Sequence, residues 1–280
     1  MKQKLNLSKE ELGTEIYINK LTQKEIANKY SVSRACVQRL QKKHGLEPLD
    51  DWERRYPEHL SQVQKEVLYG SILGDDCLYH FKSANQGFLL VYHSLSNREY
   101  AQLKLDIWRP FVRQLELRKA YREKGVRLSF ATGGHPELET IRKTVYCNTI
   151  KVVTLEHLNK LTPISLAFWF QDDGSRCKNK GLALHTNGFR LDEVQLICDW
   201  FLKSLQIVCW PQKRTENQWV VFFSNKTSEK FAQIILPWVH PSMRYKLEGV
   251  FLKNPQRLHD APFRLQDLVA QTTKDIVRPA

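Results

Sequence analysis

A chain of 280 residues is too long for one small domain and fits two or three modules. Its composition, 42% hydrophobic and 11% aromatic, supports a packed core and excludes global disorder. A net charge of +13 selects polyanions as partners, nucleic acid first among them. There is no apolar run of 18 or more residues, and Met1-Lys2-Gln3-Lys4-Leu5 lacks the apolar core of a signal peptide. The expectation is therefore no membrane association and an intracellular, non-secreted protein of the cytoplasm, nucleoid or an organelle matrix. The six cysteines show no Cys-x-x-Cys spacing, so neither a zinc site nor a disulfide framework is expected.

Residues 1–47 open the chain with two capping boxes. Ser8-Lys9-Glu10-Glu11 and Thr22-Gln23-Lys24-Glu25 each place a hydroxyl residue three positions before Glu, marking two helix starts. Ile26 and Ala27 are expected to face inward. After the break at Tyr30-Ser31-Val32-Ser33, a third helix runs to about Lys43 with Val37 and Leu40 buried. Its exposed side carries Arg34, Gln38, Arg39 and Lys42. The arrangement resembles a DNA-binding helix-turn-helix, in which the last helix enters the major groove, Arg and Gln read base edges and Lys contacts phosphate. Ser31 stands where such turns commonly carry Gly. Gly45 and Pro48 end the helix. Residues 48–62, charged and without clear period, read as a linker.

Residues 63–157 then read as a helix, two strands (Cys77–Phe81 and Phe88–His93), a helix over Asn97–Arg113, a strand at Val126–Phe130 and a helix over Pro136–Tyr146. On the Asn97–Arg113 helix Tyr100, Leu103, Ile107 and Phe111 form the apolar side. Residues 158–255 repeat the order, with a strand at Leu182–Thr186, a helix over Leu191–Leu205, a hairpin from Val208–Lys213 and Trp219–Ser224, and a helix over Thr227–Val239. Residues 256–280 form a C-terminal extension.

Each half begins with a mostly apolar run that ends in two carboxylates: Leu68-Tyr69-Gly70-Ser71-Ile72-Leu73-Gly74-Asp75-Asp76 and Leu166-Ala167-Phe168-Trp169-Phe170-Gln171-Asp172-Asp173-Gly174. A carboxylate at a helix C-terminus opposes the macrodipole, and two such helices side by side would bring Asp75 and Asp173 together, which costs free energy without a cation or a shared proton. The outline is that of a hard-cation site.

These two runs, with Leu161-Thr162-Pro163 before the second and His240-Pro241-Ser242-Met243-Arg244-Tyr245-Lys246-Leu247 near the end, resemble the paired LAGLIDADG helices of single-chain homing endonucleases. The resemblance covers roughly residues 60–255. It implies an α+β fold, a pseudo-twofold pair of αββαββα halves whose sheets form a saddle over duplex DNA, here preceded by the small all-α helix-turn-helix. It implies a monomer that hydrolyses both strands of double-stranded DNA at a specific sequence, with two or more Mg²⁺ ions shared with the DNA phosphates. Asp75 and Asp173 match the family's metal-binding, catalytic carboxylates. Lys246 matches its basic residue in the second half, and Lys151 is a looser counterpart from the first. Base contacts would come from His80, Lys82, Arg127, Ser129, His185, Lys213 and Arg214 on the strands. The alternatives are a catalytically inactive DNA-binding regulator and an intron RNA maturase on the same fold. Gly70 and Gly74 would let the motif helices approach closely. Phe168 stands where the second copy should match Gly70, so close approach there must rest on Ala167 or on another crossing geometry.

Overall fold

The computed structural model describes residues 5–49, 51–81, 85–112, 116–122, 125–177, 181–251, 254 and 256–265. The chain divides into two compact units, Met1–Glu58 and His59–Ala280.

In the first unit both capping boxes form. Ser8 Oγ accepts from the Glu11 N–H at 3.1 Å while Glu11 accepts from the Ser8 N–H at 2.7 Å, and Thr22 and Glu25 repeat the exchange. They open α1 (Lys9–Gly13), which runs on as a π-helical turn over Thr14–Ile18, and α2 (Gln23–Lys29). Helix α3 (Arg34–His44) follows. Leu12, Ile16, Ile26, Ala27 and Val37 form the core, with Leu40 packed against it. The stretch read as a linker carries a short helix, α4 (Asp51–Arg55). It is tied to this unit by Tyr17, which donates to the Glu47 carbonyl at 3.0 Å, and by Lys20, which donates to the Glu53 carbonyl at 2.9 Å. These are side-chain bonds to main-chain carbonyls, which no periodicity announces.

Ser31, between α2 and α3, adopts φ +54°, and Gly45 caps α3 at φ +63°. A side chain in the left-handed region costs about 1–2 kcal/mol, and part of the gain from glycine is offset by the freer unfolded chain. Ser31→Gly is therefore expected to stabilise the first unit by about 0.5–1 kcal/mol. A urea titration followed by circular dichroism reads this as a higher midpoint. An unchanged or lower one would show that the turn holds no strain.

The second unit repeats one order of elements twice. The first half is α5 (Gln62–Ser71), β1 (Cys77–His80), β2 (Gly87–Ser94), α6 (Arg98–Trp108), β3 (Arg118–Arg122), β4 (Gly125–Ala131) and α7 (Pro136–Val145). A short ribbon of β5 (Tyr146–Cys147) and β6 (Ile150–Lys151) and the turn of α8 (Leu155–Leu158) lead into the second half. That half is α9 (Pro163–Asp173), β7 (Gly174–Arg176), β8 (Leu182–Leu184), α10 (Leu191–Leu205), β9 (Cys209–Thr215), β10 (Gln218–Phe223) and α11 (Asn225–Ile235), and α12 (Arg257–Asp260) lies beyond it. Both four-stranded sheets are antiparallel, in the orders β1-β2-β4-β3 and β7-β8-β10-β9. This is the expected α+β class with αββαββα halves.

Within the two four-stranded sheets, two strands were not expected. Strand β3, Arg118-Lys119-Ala120-Tyr121-Arg122, is a charged edge strand with no apolar alternation, as edges that resist aggregation often are. Strand β7 is three residues that follow α9 without a loop, begun by Gly174. Prolines shorten two expected helices: Pro110 and Pro237 turn the ends of α6 and α11 into 3₁₀ segments, Arg109–Phe111 and Leu236–Trp238.

Helices α5 and α9 pack against each other at the centre of the second unit. A Cβ on Gly70 would lie 1.9 Å from the main-chain oxygen of Ser165, and one on Gly74 would lie 2.6 Å from the Cβ of Asp172. Ser165 Oγ donates to the Glu66 carbonyl at 2.7 Å across the same contact. The close approach thus rests on Gly70 against the backbone at Ser165, rather than on Ala167. Phe168 instead turns its ring toward Tyr100 of α6, 5.8 Å between centroids. The contact is asymmetric where the resemblance implied a symmetric one.

Candidate active site

The C-terminal ends of α5 and α9 meet over a small set of charges. Helix α5 ends at Ser71, and a tight turn held by Leu73 N–H to Gly70 and Gly74 N–H to Ser71 carries the chain to Asp75 and Asp76. Helix α9 runs through Asp172 and Asp173 to the extended cap Gly174. Of the four carboxylates, Asp75 is the accessible one, its side chain 46% exposed. Burial pushes the Asp173 carboxyl up to about 7, and the charges of Asp75 and Asp172 add to the rise against Lys151 and Lys246. The two lysines thus offset only part of the rise.

The two expected lysines take matching places. Lys151 Nζ donates to the Gly74 carbonyl at 2.8 Å, and Lys246 Nζ donates to the carbonyls of Gln171 at 2.6 Å and Asp172 at 3.1 Å. Gly74 and Asp172 each precede a motif aspartate, so one ammonium group sits behind the end of each motif helix. Burial draws the Lys246 amine down, while Asp172, Asp75 and Asp173 hold it up. Asp75, Asp173, Lys151 and Lys246 are brought together as a group.

Beneath them lies a network absent from the sequence reading. Lys104 of α6 is fully buried, and its ammonium group donates to Asp76 at 3.0 Å and to both oxygens of Asp172 at 2.9 Å. Tyr100, one turn earlier, donates to Asp172 at 2.9 Å. Burial works to lower the Lys104 pKa, but Asp172 and Asp76 outweigh it and leave the pKa raised. Burial lifts Asp76 to about 7 against the pull of Lys104, and its Oδ2 has no hydrogen-bond partner among the described residues. His93 of β2 is buried beside Asp75, its Nδ1 4.0 Å from the carboxylate. Burial, then Lys104, hold its pKa well below 6.5, so the ring is neutral and the contact is no ion pair. Asp75, His93 and Asp172 offer ligand atoms within 4.8 Å of one another. Both Asp172 oxygens are already engaged by Lys104 and Tyr100, so Asp75 is the exposed carboxylate of this group, and Asp173, which ends α9, stands outside it. Carboxylate oxygens, with the raised and buried Asp173 carboxyl next to them, suit a hard divalent ion.

The residues expected to touch nucleic acid divide. Arg34, Gln38, Arg39 and Lys42 are all exposed on α3, and Gln23 of α2 accepts at 3.1 Å from both Arg34 and Gln38. In the first sheet, Leu78, Leu89, Val91, His93 and Leu128 face the helices, so the register puts Arg127 and Ser129 on the other side, where Arg127 is half-buried and Ser129 is buried. His80 does not. It pairs with Gly87, whose Cβ position abuts α7 at Leu138 and Glu139, and so it shares the helix-covered side with Leu78. In the second sheet, Phe223 packs on Phe201 and Phe231, so Phe222, Trp210, Gln212 and Arg214 face outward. Lys213 pairs with Trp219 on the other side, its ammonium 5.8 Å from the indole ring. For both His80 and Lys213 the strand register, not the residue type, decides the face. The His185 ring Nε2 bonds Ser175 Oγ at 2.7 Å, and the His185 main-chain N–H donates to the Asp173 carbonyl at 2.8 Å. Lys82 lies outside the described residues.

The model of the LAGLIDADG DNA endonuclease family matches residues 65–231, more than half of the chain, and spans both motif helices. The chain belongs to the LAGLIDADG DNA endonuclease family. A probable intron-encoded endonuclease of Wickerhamomyces canadensis is 29% identical over 218 residues, which cover 72% of this chain and 93% of that one. The cytochrome b mRNA maturase bI2 of Debaryomyces hansenii is 28% identical over 67% of this chain and 74% of its own. Among solved structures, the homing endonuclease I-WcaI bound to its DNA recognition sequence matches with a TM-score of 0.63 at 26% identity, covering 74% of this chain and 96% of that chain. The LAGLIDADG reading of the two apolar runs is thereby established, and with it the nuclease class. No helix among the described residues is long and apolar enough to cross a membrane.

Proposed function

We propose that this LAGLIDADG protein is a monomeric, Mg²⁺-dependent endonuclease that cuts both strands of a DNA duplex at a selected sequence, with Asp75 and Asp173 as the cation-holding carboxylates. The observation that carries this reading is the packing of α5 against α9, which sets Asp173, at the end of one motif helix, near enough to the accessible Asp75 after the other for their charges to interact. A bound divalent ion would neutralise charge developing on the phosphate and lower the pKa of an attacking water. Lys151 and Lys246 fix the last carbonyls of the two motif turns and add positive charge beside the scissile phosphates. Arg127, Ser129, His185 and Arg214 contribute base or phosphate contacts from the open sheet faces, and Arg34, Gln38, Arg39 and Lys42 extend contact from the helix-turn-helix.

A selection on a randomised duplex library, with Mg²⁺ in one arm and Ca²⁺ in the other, tests the whole reading. Cut ends at one recurring motif in Mg²⁺ alone are expected. Bound fragments with no cut ends in either arm would mean a regulator instead. The maturase relative motivates a second reading, intron RNA binding. Tighter binding to a structured intron RNA than to any duplex would favour it.

Asp173 also gives the metal affinity a pH dependence. Below about 7 its carboxyl is protonated, so a cation must displace a proton. Mg²⁺ affinity, measured by titration calorimetry, should rise with pH up to about 7 and flatten above it. Proton release seen as a buffer-dependent heat at pH 6 should be lost in Asp173→Asn. A flat profile from pH 5 to 8 would remove Asp173 from the ligand set.

A further inference from the structure

The open faces of the two sheets differ in chemistry. On the first, Tyr79 of β1 and Phe88, Leu90 and Tyr92 of β2 alternate with the helix-facing residues and form one strip, with the apolar Phe88 and Leu90 between the two tyrosines. Tyr79 is 49% exposed, and the other three are half-exposed. Phe88 is stacked on Tyr79 at 5.6 Å and lies 4.7 Å from Phe81, so the strip is preorganised. Across β4 it passes to Ser129 and Arg127. On the second sheet the open face also carries an aromatic pair, Trp210 and Phe222, but around it stand the Ser175–His185 hydrogen bond, Gln212 and Arg214.

Building on the endonuclease reading, we infer that the first half reads its half-site through the 5-methyl groups of thymine, with Leu90 and Phe88 as the specificity-determining residues, while the second half reads through hydrogen bonds. The half-buried Phe88 and Leu90 have no donor or acceptor to offer a base edge. In the major groove the apolar feature that distinguishes one base from the rest is the thymine methyl. The occupant is a B-form duplex. The chain's charge of +13, with Arg127 on the same face, complements its phosphates, and the similar I-WcaI structure is bound to DNA. RNA fits this face poorly, since its uracil lacks the methyl and its major groove is too narrow for a sheet.

The test takes the duplex site from the library selection and replaces thymine by uracil in one half or the other, on both strands, with binding measured in Ca²⁺. Base pairing is kept and only methyl groups are lost. Uracil in one half should weaken binding by about fourfold per contacted methyl, while uracil in the other half should change it by less than about twofold. In Leu90→Ala the sensitive half should lose that dependence. Should this variant lose its fold by circular dichroism, Phe88→Ala takes its place. Specific binding indifferent to uracil in both halves, or a selected site without thymine, would overturn methyl readout and leave the endonuclease intact. Absence of any sequence-preferring duplex binding would overturn both.

Discussion

Asp75→Asn and Asp173→Asn are each expected to lower Mg²⁺-dependent cleavage by about a thousandfold, some 4 kcal/mol of transition-state stabilisation, while specific binding in Ca²⁺ survives. Amide and carboxylate have nearly the same shape, so the substitution removes charge and leaves packing in place. The effect on stability should run the opposite way for Asp173. Its carboxyl is raised to about 7 in the folded chain, against about 4 in an unfolded one. Between those values the unfolded state releases a proton that the folded state keeps, so wild-type stability falls as pH rises from about 4 to about 7 and levels off above. Asp173→Asn lacks this fall and should be at least as stable as wild type at pH 8. Loss of activity with gain of stability marks a residue kept for chemistry. A variant with full cleavage of both strands would remove that carboxylate from the mechanism. Nicking of one strand alone would show two separable sites, each served by its own aspartate.

Lys104→Met is expected to be the most damaging substitution in the second unit. The ammonium group is fully buried between Asp76 and Asp172. Removing it leaves two buried carboxylates facing one another, a change that typically costs about 3–5 kcal/mol. For a unit of this size the melting temperature should fall by roughly 10 °C. The loss should be smaller at pH 5 than at pH 8, because the stranded carboxyls can then protonate. The triple variant Lys104→Met, Asp76→Asn, Asp172→Asn should recover most of the stability, since a buried ion network can often be neutralised at little cost. Thermal melts of the three proteins at both pH values decide the matter. A single variant as stable as wild type would show that water reaches the cluster.

The carboxylate pairs that end two apolar runs were legible in the sequence because their composition breaks a rule: acidic groups stand where the helix dipole disfavours them. Lys151 and Lys246 were found only through the family likeness, since nothing local separates them from other lysines. Lys104 was missed for a physical reason. Its partners lie 28 and 68 residues away in the chain, and a lysine within an apolar stripe reads as a solvated charge. The signal was nevertheless present. Lys104 falls four residues after Tyr100 and four before Trp108, and the three share the buried face of α6. The sequence reading put half-buried Leu103 there instead. Strand faces failed differently, at His80 and Lys213, because period two makes every assignment hostage to a register set by distant neighbours.

The asymmetric contact between the motif helices bears on how the halves can associate. Gly70 meets the backbone at Ser165, and Lys104 of the first half reaches Asp172 of the second. The motif alignment puts Phe168 opposite the Gly70 position and Gly74 opposite the Asp172 position. A pair of first halves would offer Lys104 no second carboxylate, and a pair of second halves would have a phenylalanine where the backbones must touch. Cut apart and mixed, the two pieces should recombine only as unlike partners. Joining them in one chain thus does more than link two copies: each half supplies the contact that the other lacks.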